Sequence, residues 1–139
     1  MKYFSLVAAI VLVLASCQKE EEGPFVPQVN NLENGMIVLC EGLYQQNNAS
    51  ITWVQLPSGV QDPAFFQTKT NRALGDTGND MLQYGDKIYV VVNVSSTIEI
   101  MSGSDFSPIG QIEMTANGQP KQPRYMAAAN GKIYITCYD

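Results

Sequence analysis

The chain has 139 residues, carries 8 basic against 13 acidic side chains for a net charge of −5, and contains no histidine. An acidic chain without a basic patch argues against binding to nucleic acid or to anionic lipid headgroups. Without histidine it lacks the commonest general base and metal ligand, and no nucleophile–base pair is visible in the sequence. We therefore expect a protein that is not an enzyme and that holds no cofactor and no metal.

Residues 1–17 predict export and lipid anchoring. A positive start precedes an apolar run over residues 4–15, which is short for a membrane span but suits a secretory signal. The run ends in Leu14-Ala15-Ser16-Cys17, which resembles a bacterial lipobox. That resemblance implies cleavage before Cys17 and lipidation of its thiol. The alternative is an ordinary signal peptide with an incidental cysteine.

Residues 18–33 are predicted to form an acidic tether rich in proline and asparagine. Its acidic run, Glu20-Glu21-Glu22, is normally only a solvated segment. Directly after a lipidated cysteine, however, it resembles the signal that sends lipoproteins of Bacteroidetes to the outer surface. The predicted location is therefore the outer membrane, facing the cell exterior.

A strand–turn–strand pattern recurs in the predicted domain, residues 34–139. Residues 81–93 return 45 positions later as residues 126–138, with turns at Gly85-Asp86 and Asn130-Gly131. Asn-Gly between apolar runs is a strong hairpin signal, because a type I′ turn needs positive φ at both central residues. The turn type at Gly85-Asp86 stays open, since the order of residues is reversed. A hairpin recurring at this period indicates a propeller blade or another β-repeat.

The predicted elements in chain order are strands at residues 36–40, 50–54, 65–68, 80–84, 88–93, 97–101 and 107–114, and then the Asn130-Gly131 hairpin. Polar connections are expected over residues 41–48, 69–79 and 115–123, and no helix is expected after the signal peptide. Strand 36–40 is uninterrupted by polar residues, so we expect it to be covered on both faces. The fold class is all-β, a propeller of four-stranded antiparallel blades, of which about two and the start of a third are present. Because propellers have about four to eight blades, we expect the chain to be the front of a longer protein or a truncated gene product.

Two longer segments, one period apart, resemble the YncE-like β-propeller surface lipoproteins of Bacteroidetes. They are Asn71-Arg72-Ala73-Leu74-Gly75-Asp76-Thr77-Gly78-Asn79-Asp80-Met81 and Gln122-Pro123-Arg124-Tyr125-Met126. Residues 34–42 and 47–51 fit the first blade of that family. The resemblance covers residues 34–139, and it departs from the usual pattern at Gln122, where a serine is more common.

This resemblance implies a surface-exposed outer-membrane lipoprotein that binds a small molecule without catalysis. The BtuG-like members bind cobalamin beside a transporter. It therefore implies a nutrient such as a corrinoid as ligand, and an outer-membrane transporter as partner besides the lipid anchor. The alternative is a propeller-scaffold enzyme, lyase or quinoprotein-like, or its relic.

Five polar residues in the connections between blades are candidate ligand-binding residues: Arg72, Asp76, Asn79, Arg124 and Tyr125. Such connections border the faces of a propeller, where ligands bind. The alternative is structural, with Arg72 or Arg124 pairing with Asp76 or Asp80 to clamp adjacent blades.

Aromatic and cysteine side chains in the strands are expected to be packing residues. Tyr89 and Tyr134 recur in register and are predicted to be buried, and Trp53 is predicted to pack rather than to stack on a flat ligand. Cys40 and Cys137 could pair, but cysteines in strands are more often small buried hydrophobes.

Overall fold

A computed structural model describes residues 33–138. These residues form a succession of small antiparallel β-sheets, which confirms the predicted all-β class. The sheets do not close into a ring within this range. The predicted signal peptide, Cys17 with its lipidation, and all of the tether except Glu33 lie outside the described residues.

Eleven strands and one helix make up the described part of the chain. They are β1 (Gly35–Cys40), β2 (Ser50–Gln55), β3 (Gln61–Asp62), α1 (Phe65–Thr70), β4 (Gly78–Tyr84), β5 (Lys87–Val92), β6 (Thr97–Ser102), β7 (Pro108–Glu113), β8 (Thr115–Ala116), β9 (Gln119–Pro120), β10 (Pro123–Ala129) and β11 (Lys132–Cys137). The first sheet is β1-β2-β3, the second is β4-β5-β6-β7, and the third is the hairpin β10-β11.

The helix α1 is a correction to the strand predicted at residue 65. Two adjacent apolar side chains, Phe65 and Phe66, are both buried at 1–2% exposure. In a strand they would point to opposite faces, whereas on a helix both can turn toward the same core. The Asp62 carboxylate accepts a hydrogen bond from Ala64 N at 3.0 Å before the helix, and Asn71 ends it in the left-handed region at φ 56°.

The main hydrophobic core lies between the first and second sheets. One face of β2 contributes Ile51 and Trp53, and one face of β5 contributes Ile88, Val90 and Val92. Side chains from the helix and loops complete it: Phe65, Phe66, Leu74 and Phe106. The prediction that Trp53 packs is confirmed, since it is 4% exposed.

The third sheet lies against the opposite face of the second sheet. Met126 N in β10 donates to Asp80 Oδ2 in β4 at 2.6 Å, and Gly131 N donates to the Tyr84 hydroxyl at 2.7 Å. Asn93 Nδ2 donates to the carbonyl of the buried Pro123 at 2.8 Å. Three side chains, two on β4 and one directly after β5, thus satisfy backbone groups of the third sheet and its turn.

The two predicted hairpin turns occur where the sequence places them. Asn130 and Gly131 have φ of 52° and 74°, as a type I′ turn requires. At the other turn Gly85 alone has positive φ, at 63°, the pattern of type II′. The Asn117-Gly118 dipeptide forms a third such turn, with φ 54° and 74°, and closes the β8-β9 hairpin inside a predicted polar connection.

Several burial predictions are wrong. Strand β1 is not covered on both faces, because Met36 is 48% and Val38 is 38% exposed. Tyr89 and Tyr134 do occupy equivalent positions, opposite Leu82 and Ala127 in their hairpins. Tyr89 is only half-buried, however, and Tyr134 is 55% exposed, since no element of the described chain covers that face of β11.

Both cysteines of the described chain are free thiols at strand ends. Cys40 is half-buried and Cys137 is exposed, so neither is the small buried hydrophobe that was expected. Within residues 33–138 no helix is long and apolar enough to cross a membrane.

Candidate functional site

A β-bulge recurs at the start of the first strand in the second and third sheets. The β4–β5 register shifts between Gly78 and Asp80, and the β10–β11 register shifts between Pro123 and Met126. Asn79 and Arg124, which lie 45 positions apart, sit on these bulges. A bulge re-aims the side chain that it carries, and bulges are common beside binding sites.

The Arg124 guanidinium lies against two exposed tyrosine rings. Its Cζ is 4.8 Å from the ring centroid of Tyr138 and 5.4 Å from that of Tyr125. Nη1 donates to the Tyr138 hydroxyl at 2.7 Å, and Nη2 is 3.4 Å from the Tyr125 hydroxyl. Tyr125 is 56% and Tyr138 is 53% exposed. The result is an open cationic and aromatic surface, which we call the Arg124 cluster (Arg124, Tyr125 and Tyr138).

The Arg124 guanidinium is charged at every physiological pH, as arginine side chains are, and its surroundings reinforce that charge. The hydrogen bond with Tyr125 and the fields of Tyr138, Tyr125 and Glu41 raise the pKa of the guanidinium, against an opposing effect of burial. Within residues 33–138 no salt bridge joins Arg124 to a carboxylate. Arg124 therefore carries a full positive charge without an ionic partner in the described part of the chain.

Each bulge also holds a buried polar atom without a hydrogen-bond partner among the described residues: Asn79 Oδ1 in β4 and Arg124 Nε in β10. Most buried polar groups in native proteins are hydrogen-bonded, so such exceptions need an explanation. Two of the four such atoms in residues 33–138 thus lie at equivalent positions of the repeat, and the other two are Trp53 Nε1 and Thr97 Oγ1.

Backbone and side-chain contacts join the three sheets at the same end. Gly78 N donates to the carbonyl of Glu41 at 3.1 Å, which links the end of β1 to the start of β4. Met126 N and the Asp80 carboxylate link β4 to β10. Glu41, Asn79, Arg124 and Tyr125 therefore belong to neighbouring strand ends. Three of the five predicted site residues, Asn79, Arg124 and Tyr125, lie at this end of the sheets.

Arg72 does not join this group. It follows α1, and its guanidinium lies 5.2 Å from the ring of Phe66. It forms a two-point salt bridge with Glu99, through Nη1 to Oε1 at 2.9 Å and Nη2 to Oε2. The hydrogen bond to Glu99 raises the pKa of Arg72. The structural alternative for Arg72 predicted an ion pair between blades, but with Asp76 or Asp80 as its partner rather than Glu99.

Glu99 lies on β6 and is fully buried. Besides Arg72, its carboxylate accepts a hydrogen bond from Gln111 Nε2 at 2.6 Å. Glu99 stands between two isoleucines in a strand of alternating polar and apolar residues, a pattern that is typical of a solvent-exposed glutamate. The sequence therefore did not indicate that Glu99 is buried. Only the packing of the helix–β4 connection against β6 brings these charges together.

Asp76 is 8% exposed and organises a loop. Its carboxylate accepts hydrogen bonds from Gln45 N and Asn47 N, both at 3.1 Å, and from Thr77 Oγ1 at 2.7 Å. The Thr77 hydroxyl is the largest cause of the lowered pKa of Asp76, and the two backbone donors add to it. All three donors are internal, so this carboxylate holds the loop between β1 and β2 in place.

A separate cleft of about 240 Å³ lies beside α1. Its walls carry the amide side chains of Asn47, Asn48 and Gln67, and Ile51, Phe66 and Leu74 also line it. None of the five predicted site residues lines this cleft, and it has no charged side chain. It could take a small uncharged molecule, but it offers no charge with which to select one.

No protein-family model matches this chain, and no curated protein matches it. In residues 33–138 no group of three or more histidine, cysteine, aspartate or glutamate side chains is arranged to hold a metal ion. What the site can do chemically rests on the Arg124 cluster, which offers a fixed cation, free hydrogen-bond donors and two flat rings.

Proposed function

We propose that this protein is a lipid-anchored, surface-exposed binding protein built on a YncE-like propeller scaffold. It captures a small nutrient, with corrinoids as the first class to test, and passes it to an outer-membrane transporter. Catalysis is not part of this proposal. The observation that carries it is the Arg124 cluster, an open cationic and aromatic surface at strand ends where three sheets meet.

The repeat supports the propeller scaffold. The β4–β5 and β10–β11 hairpins share their turn positions, their register and their bulges, and successive sheets pack face to face. Such stacking of equivalent sheets is the building rule of propellers. In that architecture strand ends and their bulges border a face of the ring, which suits a ligand site.

The anchoring half of the proposal is tested in cells. Cys17→Ala should release the protein into soluble fractions, and Ser16→Ala serves as the control, because it keeps the thiol and a small residue before it. Replacing Glu20, Glu21 and Glu22 by alanine should reduce protease accessibility on intact cells. Membrane association that persists in Cys17→Ala would contradict lipidation, and unchanged accessibility would leave the acidic run as a tether only.

The binding half is tested by titrating the full chain with a corrinoid and following the corrinoid absorbance. Binding should weaken by about tenfold or more when Arg124 becomes alanine, because truncating a hot-spot residue costs about 2 kcal/mol or more. Arg72→Lys is the matched control, since that side chain faces Glu99 instead. Equal affinities of the two variants would contradict a site at Arg124.

A further inference from the structure

The terminal nitrogens of Arg124 retain unused donors. Each terminal nitrogen of a guanidinium carries a pair of N–H groups in a fixed planar fork. One donor on Nη1 is used by the Tyr138 hydroxyl, and Nη2 contacts the Tyr125 hydroxyl. One donor on each terminal nitrogen is left, and two guanidinium N–H groups can donate to the two oxygens of a carboxylate.

The surroundings of these donors are flat and apolar. Tyr125 and Tyr138 are each more than half exposed, so their rings can contact a ligand as well as the guanidinium. Aromatic rings offer large contact areas and prefer offset or edge contacts with other π-systems. A ligand with a negative charge attached to a planar framework would accept hydrogen bonds from Arg124 and contact the ring of Tyr125 or Tyr138 at the same time.

We propose that the Arg124 cluster binds a planar carboxylate, in which a carboxylate group is attached to an aromatic or conjugated system. This inference rests on the proposed small-molecule binding function and adds the chemical class that the site selects. The carboxylate accepts from the unused donors on Nη1 and Nη2, and the planar framework lies against Tyr125 or Tyr138. Glu41, whose field reaches Arg124, opposes the bound anion.

The chain offers an internal control for the test, because Arg72 and Arg124 are its only arginines. Labelling arginine with ¹⁵N therefore gives two side-chain Nε–H resonances in NMR spectra of the full chain. Arg124→Lys and Arg72→Lys assign the two resonances. Because Arg72 forms a salt bridge with Glu99, a shift of the Arg72 resonance reports on nonspecific effects of added salt.

Three probes separate charge from shape: benzoate, the neutral isostere benzamide, and inorganic phosphate. Benzoate should shift the Arg124 resonance saturably while the Arg72 resonance stays in place. Benzamide should bind at least about tenfold more weakly, because it lacks the charge that strengthens the hydrogen bonds. Phosphate should bind more weakly than benzoate, because it cannot use the rings.

Two variants test the geometry. Arg124→Lys keeps the positive charge but loses the planar guanidinium, so the affinity for benzoate should fall about tenfold. The affinity of this variant is measured from the backbone amide resonances of Tyr125 and Tyr138 in protein labelled with ¹⁵N-tyrosine. Glu41→Gln should raise benzoate affinity by about 2–5-fold, the scale of an exposed charge pair. An unshifted Arg72 resonance in both variants confirms that they are folded.

Four results would overturn the inference: no saturable benzoate shift, equal binding of benzoate and benzamide, tighter binding of phosphate than benzoate, or parallel shifts of both arginines. Its failure is distinguishable from failure of the proposed function. Corrinoid binding without benzoate binding would reject only the planar carboxylate. Benzoate binding by a protein that remains inside the cell would reject only the surface function.

Discussion

A single glycine lets the first sheet accept its largest side chain. A Cβ at Gly35 would lie 2.0 Å from the ring of Trp53, so no other residue fits there without movement. Trp53 in turn contacts Phe65 with ring centroids 5.7 Å apart, and Phe65 contacts Phe106 at 5.1 Å. The absence of one side chain on β1 thus makes room for an aromatic group that joins β2, α1 and the β6–β7 loop.

Gly35→Ala should therefore destabilise the protein. The added methyl must displace the Trp53 ring from a filled core, and such overpacking costs about 1–3 kcal/mol. Gly110→Ala is the matched control, because a Cβ there meets nothing within 4 Å and its φ is not positive. Chemical denaturation of both variants measures the difference. Equal midpoints would mean that the ring moves freely.

Two aspartates predict a pH-dependent stability of the protein. Hydrogen bonds from Ser102 and Ser107 lower the pKa of Asp105 from 3.8 to about 2, and Thr77 together with the loop amides lowers the pKa of Asp76. A carboxyl with a lowered folded-state pKa contributes stability above its unfolded pKa and loses it as the pH falls through the folded value.

We therefore expect the melting temperature to fall as the pH drops from about 4 to about 2. Asp105→Asn should lower the melting temperature at pH 7 and flatten its decline in acid, because the amide does not titrate. Measurement of the melting temperature between pH 7 and pH 2 tests this. The same acid slope in wild type and in Asp105→Asn would contradict the assignment.

Charged and polar side chains tie the elements together across sheets. Arg72 follows α1, whereas Glu99 and Gln111 lie on β6 and β7, so their contacts join the helix–β4 connection to the second sheet. The Arg72 side chain is 41% exposed while Glu99 is 1% exposed. Solvent screens the charge of Arg72 but not that of Glu99. The contribution of the ion pair to the free energy of unfolding therefore lies between that of a surface pair and that of a buried pair.

Arg72→Met should cost about 2–3 kcal/mol, less than breaking a fully buried pair, because it leaves the Glu99 carboxylate buried without its cation. The double variant Arg72→Met/Glu99→Leu should be more stable than Arg72→Met alone, since the uncompensated charge is gone. Denaturant titrations of the two variants and the wild type form the comparison. A double variant less stable than the single one would show that the carboxylate needs no cation.

The β10–β11 hairpin depends on its turn. Gly131 has φ 74° beside Asn130 at 52°, and the backbone N–H of Gly131 also bonds to Tyr84 of the second sheet. A β-branched residue resists positive φ, and the left-handed region costs an L-residue roughly 1–2 kcal/mol. The turn therefore stabilises both the hairpin and its attachment.

Gly131→Val should loosen the third sheet while leaving the other two intact. Amide hydrogen exchange should accelerate in β10 and β11 by about tenfold, the factor that corresponds to about 1.4 kcal/mol at 25 °C. Gly110→Val provides the control, because its strand has ordinary φ and open space. Acceleration spread evenly over all sheets would indicate global rather than local destabilisation.

Over the whole described chain, sheets stack in sequence order and the Arg124 cluster lies at their ends. The strand β5 of the second sheet is covered on both faces, by the first sheet with α1 on one and by β10 on the other, whereas the edge strand β7 is exposed along its length. The outer faces of the first and third sheets remain exposed, with Met36 and Val38 on one and Tyr134 on the other. The Arg124 cluster draws on the strand ends of the third sheet and on the field of Glu41 from the first.

Local chemistry made the hairpins and their register predictable from the sequence. An Asn-Gly or Gly-Asp turn between apolar runs specifies positive φ, and side-chain alternation then sets the face of each residue. The same signal at Asn117-Gly118 was present and would have found β8-β9. The Phe65-Phe66 pair was ambiguous, because a short apolar run fits a strand or a helix and only the surrounding core decides.

Burial and partners depended on the tertiary structure, because they are set by residues distant in sequence. Tyr89 and Tyr134 occupy equivalent positions in their hairpins. Only Tyr89 belongs to a sheet that the next sheet in the chain, β10-β11, packs against. The sequence placed Arg72 and Arg124 alike before hairpins, but packing gave Arg72 a buried carboxylate and left Arg124 between exposed rings. The candidate residues could thus be predicted from their side-chain chemistry. Long-range contacts decided which of the two arginines has a carboxylate partner in the described residues and which has none.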